Sequence, residues 1–174
     1  GFDFRAKSFK LEAFYTKTIV RLGIPMSMQF VIIGLTQIVI TALVNDYGLA
    51  AAAAWGVGER IYHLVNAVDM SLQQAGAAMI AQNMGANEIQ RVKKVTHCLL
   101  IFSLILAAIN TVWMLPCSEP LLRLFNHDPE VVAYAPEMVI VLCISLFLGA
   151  IMGSVQSVTT GTGAAGLAFV AGIL

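Results

Sequence analysis

From Leu22 to Val44 the chain runs for 23 residues without a charged side chain. At 1.5 Å per residue a helix of that length covers about 34 Å, enough to cross a hydrocarbon core of about 30 Å. The rest of the sequence does not dilute that reading. Apolar side chains make up 59% of the 174 residues and charged ones 11%, against about 45–50% and 25% in soluble domains. An ordinary soluble domain is excluded, and so is disorder, which needs the opposite composition. Ten basic residues offset ten acidic ones, so no net positive field exists to hold nucleic acid. Cys98, Cys117 and Cys143 are odd in number and widely spaced. They match neither a disulfide framework nor a zinc pattern, and are read as packing residues.

Three further apolar stretches follow the first, and together they predict an all-α, polytopic transmembrane bundle of about four spans. Span one, 22–44, ends at the compact turn Asn45-Asp46-Tyr47-Gly48, with Pro25 placed in its first turn, where a missing N–H matters little. Span two, 49–82, is rich in alanine but carries Glu59, Arg60 and Asp69, and Asn83 to Asn87 is its stop. Span three, 97–116, closes at Pro116. In the connection beyond it, Asp128-Pro129-Glu130 reads as an N-cap, a first-turn proline and a dipole-favoured acid, opening a continuous helix over 129–160. Gly161-Thr162-Gly163 breaks that helix, and 161–174 reads as the start of another. The sequence opens at Gly1 and stops within an apolar run, which reads as a piece of a longer membrane protein; residues 1–21 do not resemble a secretory signal.

Basic residues set the expected orientation, because Lys and Arg are retained on the cytoplasmic side of short loops. Arg5, Lys7, Lys10, Lys17 and Arg21 precede span one, and Arg91, Lys93 and Lys94 lie between spans two and three. The opposite side has Arg123 among Asp46, Glu119, Asp128 and Glu130. A cytoplasmic N-terminal tail in a multi-pass protein of the cell membrane is the expectation.

Polar residues inside spans usually face protein or a watery cavity rather than acyl chains. At 100° per residue, Glu59, His63, Asn66, Asp69, Gln73 and Gln74 share an arc of about 140° on span two, and Gln29, Thr36, Gln37 and Thr41 share a similar arc on span one. Two uses fit such stripes: hydrogen bonding between helices, and the lining of an aqueous route. Asp69 stands apart, because an ionised carboxylate at mid-bilayer is costly unless it is paired, hydrated or neutralised. Arg60, about 13 Å away along the helix, cannot pair with it directly. The candidate pathway residues are therefore Asp69, Gln29, Gln37, Asn66, Gln73 and Gln156, the last on a polar stretch from Ser154 to Thr160. His63 is read as a hydrogen-bonded packing residue, and Gly149 and Gly153 as a GxxxG pair that permits close helix approach. No metalloprotease, hydrolase, P-loop or Cys/His ligand motif occurs, so no catalytic residue, metal or bound cofactor is expected, and the protein is not read as an enzyme.

Several strings together resemble the multidrug and toxic compound extrusion (MATE) family of secondary transporters. They are Leu22-Gly23-Ile24-Pro25 opening a span, Asn45-Asp46-Tyr47-Gly48 before the alanine run to Trp55-Gly56-Val57, and Arg60-Ile61. Ala81-Gln82-Asn83-Met84-Gly85-Ala86 with Arg91-Val92-Lys93-Lys94 follows, then Leu124-Phe125 ahead of Asp128-Pro129-Glu130-Val131, and Gly161-Thr162-Gly163. The resemblance implies a twelve-helix protein of two lobes, this piece being helices seven to ten of the second lobe, with 1–21 as the cytoplasmic linker between lobes. It implies export of cationic amphipathic drugs or toxins in exchange for Na⁺ or H⁺ by alternating access, and as partners those small molecules, the bilayer and the remaining lobe. Some branches carry a glutamate in helix seven and an acid in helix ten; this sequence has Ile33 with neutral neighbours and no carboxylate in span four. Coupling is then left to a first-lobe carboxylate or to Asp69. The alternatives are an exporter of lipid-linked sugars from the same superfamily and a non-transporting membrane subunit.

Overall fold

The structure, a computed structural model, describes residues 13–164. All regular structure among them is helical: α1 (Ala13–Asn45), α2 (Leu49–Gly85), α3 (Ile89–Met114), the short α4 (Ser118–Arg123) and α5 (Pro129–Val132), and α6 (Ala135–Gly161). Thr16–Asn45, Ile89–Met114 and Ala135–Gly161 are each long and apolar enough to cross a membrane. By composition α2 is not among these three, since its charges and amides interrupt the apolar sequence. Its packing supplies the direction instead. The Gly76 and Leu99 contact and the Gln73 and Ser103 hydrogen bond fix α2 antiparallel to α3. Gly58 against Met138 and Gly161 against Ile80 fix it parallel to α6. With short turns at both ends, α2 runs the length of the bundle, antiparallel to α3 and parallel to α6.

The turns are built as their residues require. Gly48 sits at φ 100, left-handed backbone that favours glycine, and its carbonyl accepts the Ala52 N–H at 3.1 Å. At the far end of α2 the left-handed position falls on Asn87 (φ 58). Glu88 N–H bonds back to the Asn83 carbonyl at 2.8 Å and Asn87 N–H to that of Met84 at 3.0 Å, the closing pattern of a Schellman motif.

Three helix boundaries differ from the sequence reading. The helix containing span one reaches back past Leu22 to the first described residue, Ala13, so Pro25 lies inside α1, where it leaves the Arg21 carbonyl without its usual N–H. The basic stretch before residue 97 is helical and forms the first turns of α3. The helix expected to run unbroken over 129–160 is two helices. Asp128 does cap the first, its Oδ1 accepting the Glu130 N–H at 3.0 Å, but α5 ends at Val132, and α6 restarts with Pro136 in its first turn. A proline there ends the preceding ladder because it has no N–H to donate. The expected helix start over 161–174 falls mostly on residues outside the described ones.

An apolar core occupies the end of the bundle that carries the α4 and α5 connection. Ala54, Val57 and Ile61 of α2, Ala107 and Met114 of α3, and Val139, Cys143 and Leu146 of α6 close on one another, with Leu122 and Val131 capping them. Cys143 packs there as expected; Cys98 on α3 and Cys117 in the turn between α3 and α4 do not, and are exposed. Helix α1 stays peripheral, packed mainly along α2, with side chains such as Phe30 (72% exposed) and Ile38 (67%) facing outward.

Candidate functional site

Below that core, where α2, α3 and α6 meet, the interior turns polar. Gln73 is its centre. The Gln73 amide donates from Nε2 to Ser103 Oγ on α3 at 2.7 Å, and its Oε1 accepts the Ser157 hydroxyl of α6 at 2.8 Å. Ser157 also lies 3.0 Å from the Gln73 carbonyl oxygen, so the two helices are tied at backbone as well as side chain. Ser103 and Ser157 are buried, as is Ser154 one turn away. Room for the amide comes from Gly153: a Cβ on it would stand 3.1 Å from Gln73 Cδ.

Asp69 lies one helical turn before Gln73, with Oδ2 at 3.5 Å from the Gln73 amide nitrogen, a long contact. Its other oxygen, Oδ1, is the one buried side-chain polar atom without a hydrogen-bond partner among the described residues. The carboxylate is therefore turned into the bundle rather than toward acyl chains, and half of its acceptor capacity is unused. Leaving such an atom unsatisfied in a low-dielectric interior is costly. A carboxylate oxygen with free acceptor capacity is the kind of group that takes a small hard cation.

The other pathway candidates are divided between two smaller contacts. Gln29 of α1, buried, accepts from Gln156 Nε2 of α6 at 3.3 Å. Gln37 of α1 donates to both carboxylate oxygens of Glu59 on α2 at 3.2 and 3.3 Å. Asn66 is half-buried and joins none of these groups. The single stripe read along α2 thus serves two neighbours, with Glu59 turned to α1 and Gln73 to α3 and α6. His63 is not a packing residue: its side chain is 68% exposed, with Nε2 3.8 Å from Glu59 and its ring edge-on to Tyr62.

Sequence reasoning missed Ser103, and Ser154 and Ser157 entered it only as part of a polar stretch. A serine in a span carries little information, because its hydroxyl can bond the carbonyl four residues back, as Ser71 and Ser145 do here. Ser103 became visible through its register opposite Gln73.

Long apolar helices enclosing an amide, hydroxyl and carboxylate cluster are the make-up of a multi-pass helical membrane protein. The MatE family model matches residues 25–174, and the chain belongs to that family. It is 29% identical over 148 residues to the probable multidrug resistance protein YoeA of Bacillus subtilis, covering 85% of this chain and 31% of that protein. It is 27% identical over 174 residues to the multidrug export protein MepA of Staphylococcus haemolyticus, covering 98% of this chain and 38% of that protein. Among solved structures, a MOP superfamily transporter from Pyrococcus furiosus superposes with a TM-score of 0.83 at 29% identity, over 91% of this chain and 35% of that one. The chain spans about a third of the length of the curated relatives it matches.

Proposed function

We propose that the whole protein is a secondary active exporter of cationic amphipathic drugs or toxins, exchanging them for Na⁺ or H⁺ by alternating access, with this chain supplying helices seven to ten in the second of two lobes. The names of YoeA and MepA support multidrug export, and these relatives are named as transport or resistance proteins rather than enzymes. The observation that carries the coupling is the partnerless Asp69 Oδ1 at the junction of three helices.

Empty, the Asp69 site holds an uncompensated carboxylate in a cluster whose neutral members are already paired. Occupied by Na⁺ or a proton, it is electrically quiet. A ligand moves a conformational equilibrium only by binding the two states unequally. A carboxylate shut between α2, α3 and α6 in one state and hydrated in the other has that property. Glu59 fits the role less well, since both of its oxygens already accept from Gln37 and its side chain is 32% exposed.

The test is Asp69→Asn in the full-length transporter, reconstituted in vesicles with an imposed Na⁺ or pH gradient and ethidium as substrate. The amide keeps the shape and loses the charge, so gradient-driven transport is expected to fall to the level of empty vesicles while the protein stays folded. Full efflux in the variant would move coupling to a carboxylate in the other lobe.

A further inference from the structure

Helix α3 is long and apolar enough to cross a membrane, and its two sides differ sharply. Val92, Leu99, Ser103, Ala107 and Met114 are buried. At 100° per residue they share one arc, centred about 180° away from Lys94. Lys94 therefore stands on the outermost line of the helix, and Ile101, Ile105 and Val112 lie on that line within an arc of about 40°. These three are 48%, 48% and 74% exposed. Arg91 and His97, both exposed, flank Lys94 at about 60° to either side and about 9 Å apart along the axis. Lys93 is exposed as well, but it lies about 100° round the helix from Lys94. The acid next to this group in sequence, Glu88, precedes the helix as its cap residue.

We infer that this outer face of α3 is a seat for an anionic phospholipid, its phosphate held by Arg91, Lys94 and the ring N–H of His97, and its acyl chain laid along Ile101, Ile105 and Val112. The two halves of the surface choose the occupant together. A guanidinium and an ammonium one turn apart suit a phosphate, which an arginine fork binds through two parallel hydrogen bonds. A zwitterionic lipid brings a cationic group that the same side chains repel. A soluble phosphate, in turn, has no use for the apolar line that continues from the basic group. From Ile101 to Val112 that line covers about 16 Å, the depth of one leaflet in a hydrocarbon core of about 30 Å. Lys94 and Arg91 can lay their apolar stems along lipid while their charges stay among the headgroups. Basic clusters at the ends of membrane helices draw anionic lipid in this way. The seat is separate from the polar cluster, because Ser103, which holds Gln73, lies on the opposite side of α3. It needs only that α3 crosses the membrane, so it stands or falls apart from the export reading.

Native mass spectrometry of the purified full-length transporter, titrated with dioleoylphosphatidylglycerol or dioleoylphosphatidylcholine, tests this. The unaltered protein is expected to retain its first phosphatidylglycerol about tenfold more tightly than phosphatidylcholine. Arg91→Gln and Lys94→Gln are each expected to weaken phosphatidylglycerol about fivefold, the effect of one basic residue at the membrane surface, and to leave phosphatidylcholine unchanged. Lys93→Gln removes the same charge from another side of the helix, and should weaken it less than twofold. Equal losses in Lys93→Gln and Lys94→Gln overturn the seat, since the attraction is then diffuse. Unchanged affinity in both Arg91→Gln and Lys94→Gln also overturns it, because the face is then covered by the transporter's own remaining helices. Displacement of the lipid by millimolar inorganic phosphate overturns it too, leaving a phosphate site in which the apolar line has no part. None of these three results touches ethidium transport, on which the export reading is judged.

Discussion

The side chain on which the interior depends most is Gln73, because it is bonded to two other helices at once. In membranes such contacts contribute about 0.6 kcal/mol on average and up to about 1.7. Ser103→Ala removes one of them and leaves the Gln73 amide nitrogen with only the long contact to Asp69. A loss of about 1 kcal/mol is expected, read as a lower melting temperature of the full-length protein in detergent. The same substitution on a Gln73→Leu background should have almost no further effect, since the partner is already gone, and a double-mutant cycle measures that coupling. Asp69 and Gln73 were legible in the sequence because an acid or a primary amide inside an apolar helix is expensive and must have a reason. Ser103 was not, since a hydroxyl can satisfy itself locally. The angular stripe on α2 located the polar side of the helix but not its neighbours, which is why Glu59 and Gln73, in one arc, serve different helices.

Helix existence followed from apolar length, but helix limits did not. Lysines and arginines before residues 22 and 97 mark where lipid ends, whereas the hydrogen-bonded ladder continues into water, so α1 and α3 outrun the stretches without charge. Close packing was equally hard to read. The GxxxG pair on α6 is unequal: a Cβ at Gly149 would meet only the Tyr62 hydroxyl at 3.5 Å, an ordinary contact. Gly161 matters more, and no spacing pattern marked it, since a Cβ there would stand 2.7 Å from the Ala77 carbonyl oxygen and from Ile80 Cγ2. A backbone oxygen cannot move aside as a side chain can. Gly161→Ala is accordingly expected to lower stability by about 1–3 kcal/mol, and Gly149→Ala to stay within about 0.5 kcal/mol, both followed by thermal melting in detergent. Asn87→Ala should fall between them, near 1 kcal/mol, because alanine occupies the left-handed region poorly.

Across the whole molecule, charge and packing agree on which ends belong together. The Gly48 turn, α4 and α5 share the end with the apolar core, where Asp46, Glu119, Asp128 and Glu130 lie. The Asn87 turn, with Arg91, Lys93 and Lys94 just after it, shares the other end with Gly161, which packs on Ala77 and Ile80. Because basic residues are retained inside the cell, the first end is expected outside and the second cytoplasmic. The critical element is α2, which this orientation requires to return the chain across the bilayer although it is less apolar than its neighbours. An isolated α2 would enter lipid poorly; in the bundle, Glu59 is bonded to α1 and Gln73 to α3 and α6, so these two polar groups meet protein. In the full-length protein freed of its own cysteines, Asp46→Cys is expected to react with a membrane-impermeant maleimide applied to intact cells, and Asn87→Cys only after permeabilisation. The reverse result would invert the orientation without disturbing the fold. Labelling of both from one side would mean that α2 does not cross, and a cluster built on its passage between α3 and α6 would then have no place in the membrane.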